Sequence, residues 1–130
     1  DGNPFKAADH RVSTGMQMDG KKIFDFALRD VSKNMMTLLD RNEEFKDSLD
    51  YVLAHQANIR ILEAISKKTK LPMASFLHNV SNYGNTSAAS VPLLLAEKVE
   101  DGTLRLQSNQ KIMLTGYGAG LTWGCILIKL

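Results

Sequence analysis

The sequence predicts an α/β layered domain with a mostly parallel sheet flanked by helices. Short apolar runs alternate with amphipathic stretches in the order helix, strand, helix, strand, helix, strand, strand, the pattern of stacked sheet and helix layers. The 130 residues suffice for one core without disulfides or metals to staple it. The last two apolar runs are separated only by a short glycine-rich link, which predicts an antiparallel pair at the end.

Taken in order, the first segment has no sustained period, and Gly2, Pro4, His10 and Gly15 make residues 1–18 an irregular stretch. A helix starts at Asp19, a good N-cap residue. Phe24, Ala27, Val31, Met35 and Leu38 recur at three- and four-residue steps, flanked by Ile23 and Leu39. The charged stretch Asp40 to Asp50 interrupts this pattern, with one helical turn around Glu44 to Lys46. Tyr51-Val52-Leu53-Ala54 is short and apolar between polar neighbours, as a buried strand requires. A second helix covers Ala57 to Lys68, with Ala57, Ile61, Leu62 and Ile65 inward, and Leu71-Pro72 ends it. Phe76 to Val80 is predicted as another strand, followed by the turn cluster Ser81 to Asn85. The third helix spans Thr86 to Glu100, and Pro92 should kink it or change its register in the first turns. Lys111 to Thr115 and Thr122 to Leu130 are the closing strands.

Sixteen Lys+Arg against fourteen Asp+Glu leave a net charge of +2, too small to argue for nucleic acid or a membrane surface as partner. The single cysteine, Cys125, excludes an internal disulfide and a cysteine-rich metal site, and suits a reducing compartment. No apolar run approaches the roughly 18 residues of a spanning helix. A soluble, cytoplasmic protein is expected. Because the chain opens on Asp1 rather than methionine, its natural start is expected elsewhere, with 1–18 at a truncation point and 19–130 as the folded unit.

Three segments can carry chemistry. His55 directly follows the apolar strand and precedes a helix, which places it at the carboxyl edge of the sheet, where open α/β sheets bind ligands. A neutral imidazole there can donate to a developing oxyanion or exchange a proton; a partly buried histidine capping local backbone is the plainer alternative. Asn82-Tyr83-Gly84-Asn85-Thr86-Ser87 also leads into a helix. Asn85 can offer an uncharged amide to a carbonyl oxygen, or the segment can simply cap the helix. Gly116-Tyr117-Gly118-Ala119-Gly120 permits close backbone approach to a ligand or forms a tight structural hairpin. It is not a dinucleotide fingerprint, because a strand rather than a helix follows. His10 and His78 have no partner at metal-ligand spacing and are expected in loops or at the surface. Cys125, inside an apolar run, is expected to be a buried, inert thiol. Arg60, Lys67 and Lys68 share a helical face that is either merely solvated or steers an acidic partner.

Together and in this order, Met18-Asp19-Gly20 leading into Phe24, His55-Gln56-Ala57-Asn58-Ile59-Arg60, Tyr83-Gly84-Asn85-Thr86-Ser87-Ala88-Ala89-Ser90-Val91-Pro92 and Gly120-Leu121-Thr122-Trp123-Gly124 resemble the carboxyl-terminal half of β-ketoacyl-acyl carrier protein synthase III. The resemblance covers nearly everything from residue 18 onward. It implies a thiolase-like layered fold, represented by its carboxyl-terminal half and lacking its first central strand. The implied reaction is the decarboxylative Claisen condensation of an acyl-CoA primer with malonyl-acyl carrier protein, without a cofactor or metal. His55 and Asn85 match two members of a Cys-His-Asn active site. Ala119 and Tyr117 fall in the active-site loop: Ala119 stands where the family usually has Gly, and Tyr117 where it usually has Phe. Gly20, Phe24, Ala57 and Asn58 match residues lining the CoA and pantetheine tunnel, and Arg60, Lys67 and Lys68 match basic positions that dock the acyl carrier protein. The family's nucleophilic cysteine belongs to the amino-terminal half, so this chain alone is expected to be inactive. Its implied partners are that half, acyl carrier protein and, for the intact enzyme, a second copy in a homodimer. The alternatives are another thiolase-fold condensing enzyme of secondary metabolism and a non-catalytic docking module.

Overall fold

The computed structural model describes residues 18–130; His10 and all but the last residue of the stretch expected to be irregular lie outside the described residues. The first helix is built in three pieces: α1 (Gly20–Phe26), a π-helical turn (Ala27–Val31) and α2 (Ser32–Asp40). Asp19 caps it as expected, its Oδ1 accepting the Lys22 N–H at 3.1 Å. The π turn changes which residues face inward. Phe26, Ala27, Val31, Met35 and Leu39 are buried, whereas Phe24 and Leu38, expected on the inner stripe, are only half-buried. A five-residue turn inserts one extra step, so a simple three-four spacing drifts off the buried line. The single turn α3 (Glu43–Lys46) follows, then β1 (Tyr51–Ala54), both where expected.

Helix α4 (Ile59–Thr69) begins two residues later than predicted, because Asn58 is its N-cap and accepts the Ile61 N–H at 3.0 Å. Its buried face is Ile61, Leu62, Ile65, Ser66 and Thr69, and it stops at Lys70 in the left-handed conformation before Pro72.

The predicted strand Phe76 to Val80 is not formed. Phe76 makes a single parallel bridge to Val52, and the Leu77 N–H reaches Val52 O at 3.0 Å. The Asn79 and Val80 N–H groups then turn to the side chain of Gln56, which draws the chain off the ladder into α5 (Val80–Tyr83). The third helix also differs from its prediction: Ser87–Ala89 is a 3-10 turn, and α6 (Ser90–Glu100) starts only at Ser90. Pro92 therefore lies in the first turn, where its missing N–H leaves no intrahelical bond unmade.

β2 (Lys111–Gly118) pairs parallel with β1 and antiparallel with β3 (Thr122–Lys129), giving a mixed sheet of order β1-β2-β3. The ladder runs through Gly116 and Gly118, so these glycines belong to the strand and the turn is shorter than expected. Gly120 is the glycine the turn requires, since a Cβ there would meet the Thr122 methyl at 2.7 Å at a φ of +136°. No gap separates the described strands. β1 and β2 pair directly, through the register Tyr51 to Ala54 against Ile112 to Thr115.

The sheet separates two apolar layers. On one face Phe26, Val31, Met35, Leu39 and the α4 residues Ile61, Leu62 and Ile65 pack on Val52, Ala54, Met113 and Tyr117. On the other, Leu94 and Leu104 pack on Leu53 and Ile112.

Candidate functional site

The carboxyl ends of β1 and β2 lie side by side, and the side chains that follow them meet. His55 continues from β1, its N–H donating to Thr115 O at 2.8 Å, which holds the residue to the end of the sheet. Its imidazole is half-buried. The Nδ1 atom lies 2.7 Å from Ser90 Oγ, at the first residue of α6, and the same Oγ accepts the Gln56 N–H at 3.2 Å. Burial holds the His55 pKa below its ordinary value, so the neutral ring is favoured. Tyr117, on β2, presents its ring edge-on to His55 with centroids 5.2 Å apart, and Phe26 approaches Tyr117 edge-on at 6.4 Å. The Tyr117 hydroxyl is buried without a hydrogen-bond partner among the described residues, and burial raises its pKa.

Gln56 is the staple beneath this arrangement. Only 1% exposed, it donates from Nε2 to Ala54 O at 2.9 Å and accepts from the Asn79 and Val80 N–H groups at 3.1 and 3.2 Å. One side chain thus ties the end of β1 to the start of α5.

Asn85 is exposed, in the loop between α5 and the 3-10 turn, and its Oδ1 accepts the Ser87 N–H at 2.9 Å. No hydrogen bond joins it to His55 among the described residues. The loop enters α6 at Ser90, the residue whose hydroxyl contacts His55. An oxyanion placed beside His55 would find an imidazole whose neutral form burial favours and the amino-terminal end of an eleven-residue helix.

The family model for the 3-oxoacyl-[acyl-carrier-protein] synthase III carboxyl-terminal region matches residues 39–130. The chain belongs to this family. It is 50% identical over 128 residues, 98% of the chain, to β-ketoacyl-[acyl-carrier-protein] synthase III of Streptococcus pyogenes serotype M2, and spans 39% of the length of that curated relative. Among solved structures, the 3-oxoacyl-(acyl carrier protein) synthase III of Pseudomonas aeruginosa aligns with a TM-score of 0.80 at 40% identity, over 87% of this chain and 35% of that one. The synthase III of Aquifex aeolicus aligns with a TM-score of 0.81 at 33% identity, over 88% of this chain and 36% of that one. The thiolase-like fold expected from the motifs is thereby shown.

Within this synthase III fold the other predicted site residues are distributed more widely. Gly20 opens α1 on an exposed turn, and Phe24 packs half-buried against the main core. Ala57 is half-buried beside His55, whereas Asn58 is exposed with its side-chain oxygen committed to capping α4. Ala119 is exposed in the turn after β2, its carbonyl accepting the Thr122 hydroxyl at 2.9 Å. Arg60, Lys67 and Lys68 are exposed along α4. His78 is exposed, as expected. Cys125 is half-buried, bonded through Sγ to Thr115 Oγ1 at 3.1 Å, and burial raises its pKa, the signature of an unreactive thiol. A groove of about 310 Å3 between the first helix and Trp123 is lined by Asp30, Lys33, Asn34 and Thr37 and contains neither His55 nor Asn85.

Sequence reasoning assigned no role to Ser90, Gln56 or Phe26. Ser90 and Gln56 sit inside the quoted motifs, but neither motif records the distant groups they bond.

Proposed function

We propose that this chain supplies the malonyl-activating side of a β-ketoacyl-acyl carrier protein synthase III. The observation that carries the reading is the His55 imidazole at the carboxyl edge of β1, anchored through Ser90 to the amino-terminal end of α6, in a chain of this family. In the proposed reaction the thiolate of a cysteine outside these 130 residues attacks the carbonyl of an acyl-CoA, the bond from that carbonyl to the CoA sulfur breaks, and CoA leaves as its thiolate. The bond between the malonyl carboxylate and its α-carbon then breaks, carbon dioxide leaves, and the electron pair passes to the thioester oxygen as an enolate. His55 and Asn85 donate hydrogen bonds to that oxygen. The enolate carbon attacks the acyl thioester carbonyl, the new carbon–carbon bond forms, and the cysteine sulfur departs as thiolate. Donors already in place gain strength as the oxygen becomes charged, which is the step the site accelerates.

Tyr117 and Ala119 border the reacting group, and Gly20, Phe24, Ala57 and Asn58 border the pantetheine arm. The exposed cations Arg60, Lys67 and Lys68 favour docking of an acidic carrier protein. The intact enzyme acts as a homodimer in the cytoplasm.

The test joins this chain to the amino-terminal portion that its relatives possess and measures malonyl decarboxylation. His55→Ala and Asn85→Ala should each lower the rate by about 10²–10³-fold, the cost of one oxyanion donor. Unchanged decarboxylation in both would reject the site, and leave docking through α4 as the function. Condensation by the 130-residue chain alone would show that no outside cysteine is needed.

A further inference from the structure

We propose that Ser90 is a positioning residue that locks His55 as the neutral tautomer protonated on Nε2, so that the ring presents a hydrogen-bond donor, not an acceptor, to a ligand oxygen. Ser90 is 2% exposed, so its hydroxyl has no access to bulk water. A serine hydroxyl has one proton and two lone pairs. One lone pair accepts the Gln56 N–H at 3.2 Å. The remaining contact is His55 Nδ1 at 2.7 Å, and the hydroxyl makes no other hydrogen bond among the described residues. Were Nδ1 protonated, Ser90 Oγ would receive two donors while its own buried proton pointed at nothing, which costs about 1–3 kcal/mol. With Nδ1 bare, the hydroxyl donates to it and every group is satisfied. The ring proton must then sit on Nε2, the nitrogen that makes no hydrogen bond among the described residues.

Two surroundings support this. Nδ1 faces the amino-terminal end of α6, whose positive potential disfavours a second proton on the ring. Burial also favours the neutral imidazole. The proposal deepens the malonyl-activating reading and relies on it only for the identity of the oxygen that Nε2–H meets; the tautomer itself follows from contacts within the chain.

Long-range nitrogen–proton NMR of the nitrogen-15-labelled 130-residue chain tests it, with the His55 ring assigned by comparison with His55→Gln. In the unsubstituted chain Nε2 should show the protonated and Nδ1 the bare shift. Ser90→Ala should lower the Nε2–H to Nδ1–H ratio by about tenfold, the worth of one hydrogen bond, and Ser90→Thr, which keeps the hydroxyl, should restore it. A protonated Nδ1 in the unsubstituted chain overturns the proposal, as does a ratio unaltered by Ser90→Ala. If Ser90→Ala does not fold, the unsubstituted spectrum and Ser90→Thr decide. None of these readouts needs condensation, so failure of the proposed reaction would leave the nitrogen shifts where they are.

Discussion

A tyrosine hydroxyl sealed inside a protein without a partner costs about 1–3 kcal/mol, and Tyr117 carries such a hydroxyl among the described residues. Tyr117→Phe should therefore leave the chain equally stable or stabilise it by up to about 2 kcal/mol in urea unfolding; a clear loss of stability would mean that the hydroxyl is satisfied after all. His55 makes a second prediction, and its sign follows from burial. The folded pKa lies below the 6.5 of a free imidazole, so between the two values the unfolded chain binds the extra proton. Its contribution to stability is complete above pH 6.5 and is lost as pH falls from there toward the lowered folded pKa. The urea midpoint of the unsubstituted chain should fall more steeply over that window than that of His55→Gln, and parallel curves would count against it. Both residues were legible in the sequence because each abuts a strand end in a recognisable motif. Ser90 and Gln56 were not, because their partners lie 35 and 23 residues away and sequence spacing holds no record of which loops fold together.

Among elements, β1, α3 and the closing hairpin follow the sequence prediction because local pattern and final burial agree there. The segment after Phe76 departs from it because one buried side chain competes successfully with a sheet ladder. Gln56 satisfies two backbone N–H groups and two carbonyls, and no apolar residue can replace all four. Gln56→Met, which keeps the approximate volume, should destabilise the chain by about 3 kcal/mol or more, since each stranded buried group costs about 1–3 kcal/mol. Chemical denaturation measures this, and a change below about 1 kcal/mol would show that water or a shifted backbone replaces the staple. The π turn in the first helix was equally unreadable, because the amino acids of a five-residue turn are ordinary helix formers and only packing selects the wider turn.

At the scale of the whole molecule, β3 is an edge strand of eight residues, with Lys129 its one charge. Ile126 is 61% exposed on the face that α6 covers only in part. An open ladder beside uncovered apolar surface favours association. The 130-residue chain should therefore form larger species as concentration rises, and Ile126→Lys should shift it toward monomer in sedimentation velocity; a concentration-independent monomer would contradict this. The sequence by itself determined the layered α/β class, the family, and the placement of His55 after a strand and of Asn85 before a helix. These depend on residue type and spacing along the chain. Tertiary structure alone decided that β1 and β2 pair without a gap, that Gln56 holds the floor of the site, and that Ser90 rather than Asn85 touches the histidine. Each of those outcomes depends on which distant groups satisfy one another once water is excluded, and hydrogen-bond partners are selected by proximity in space.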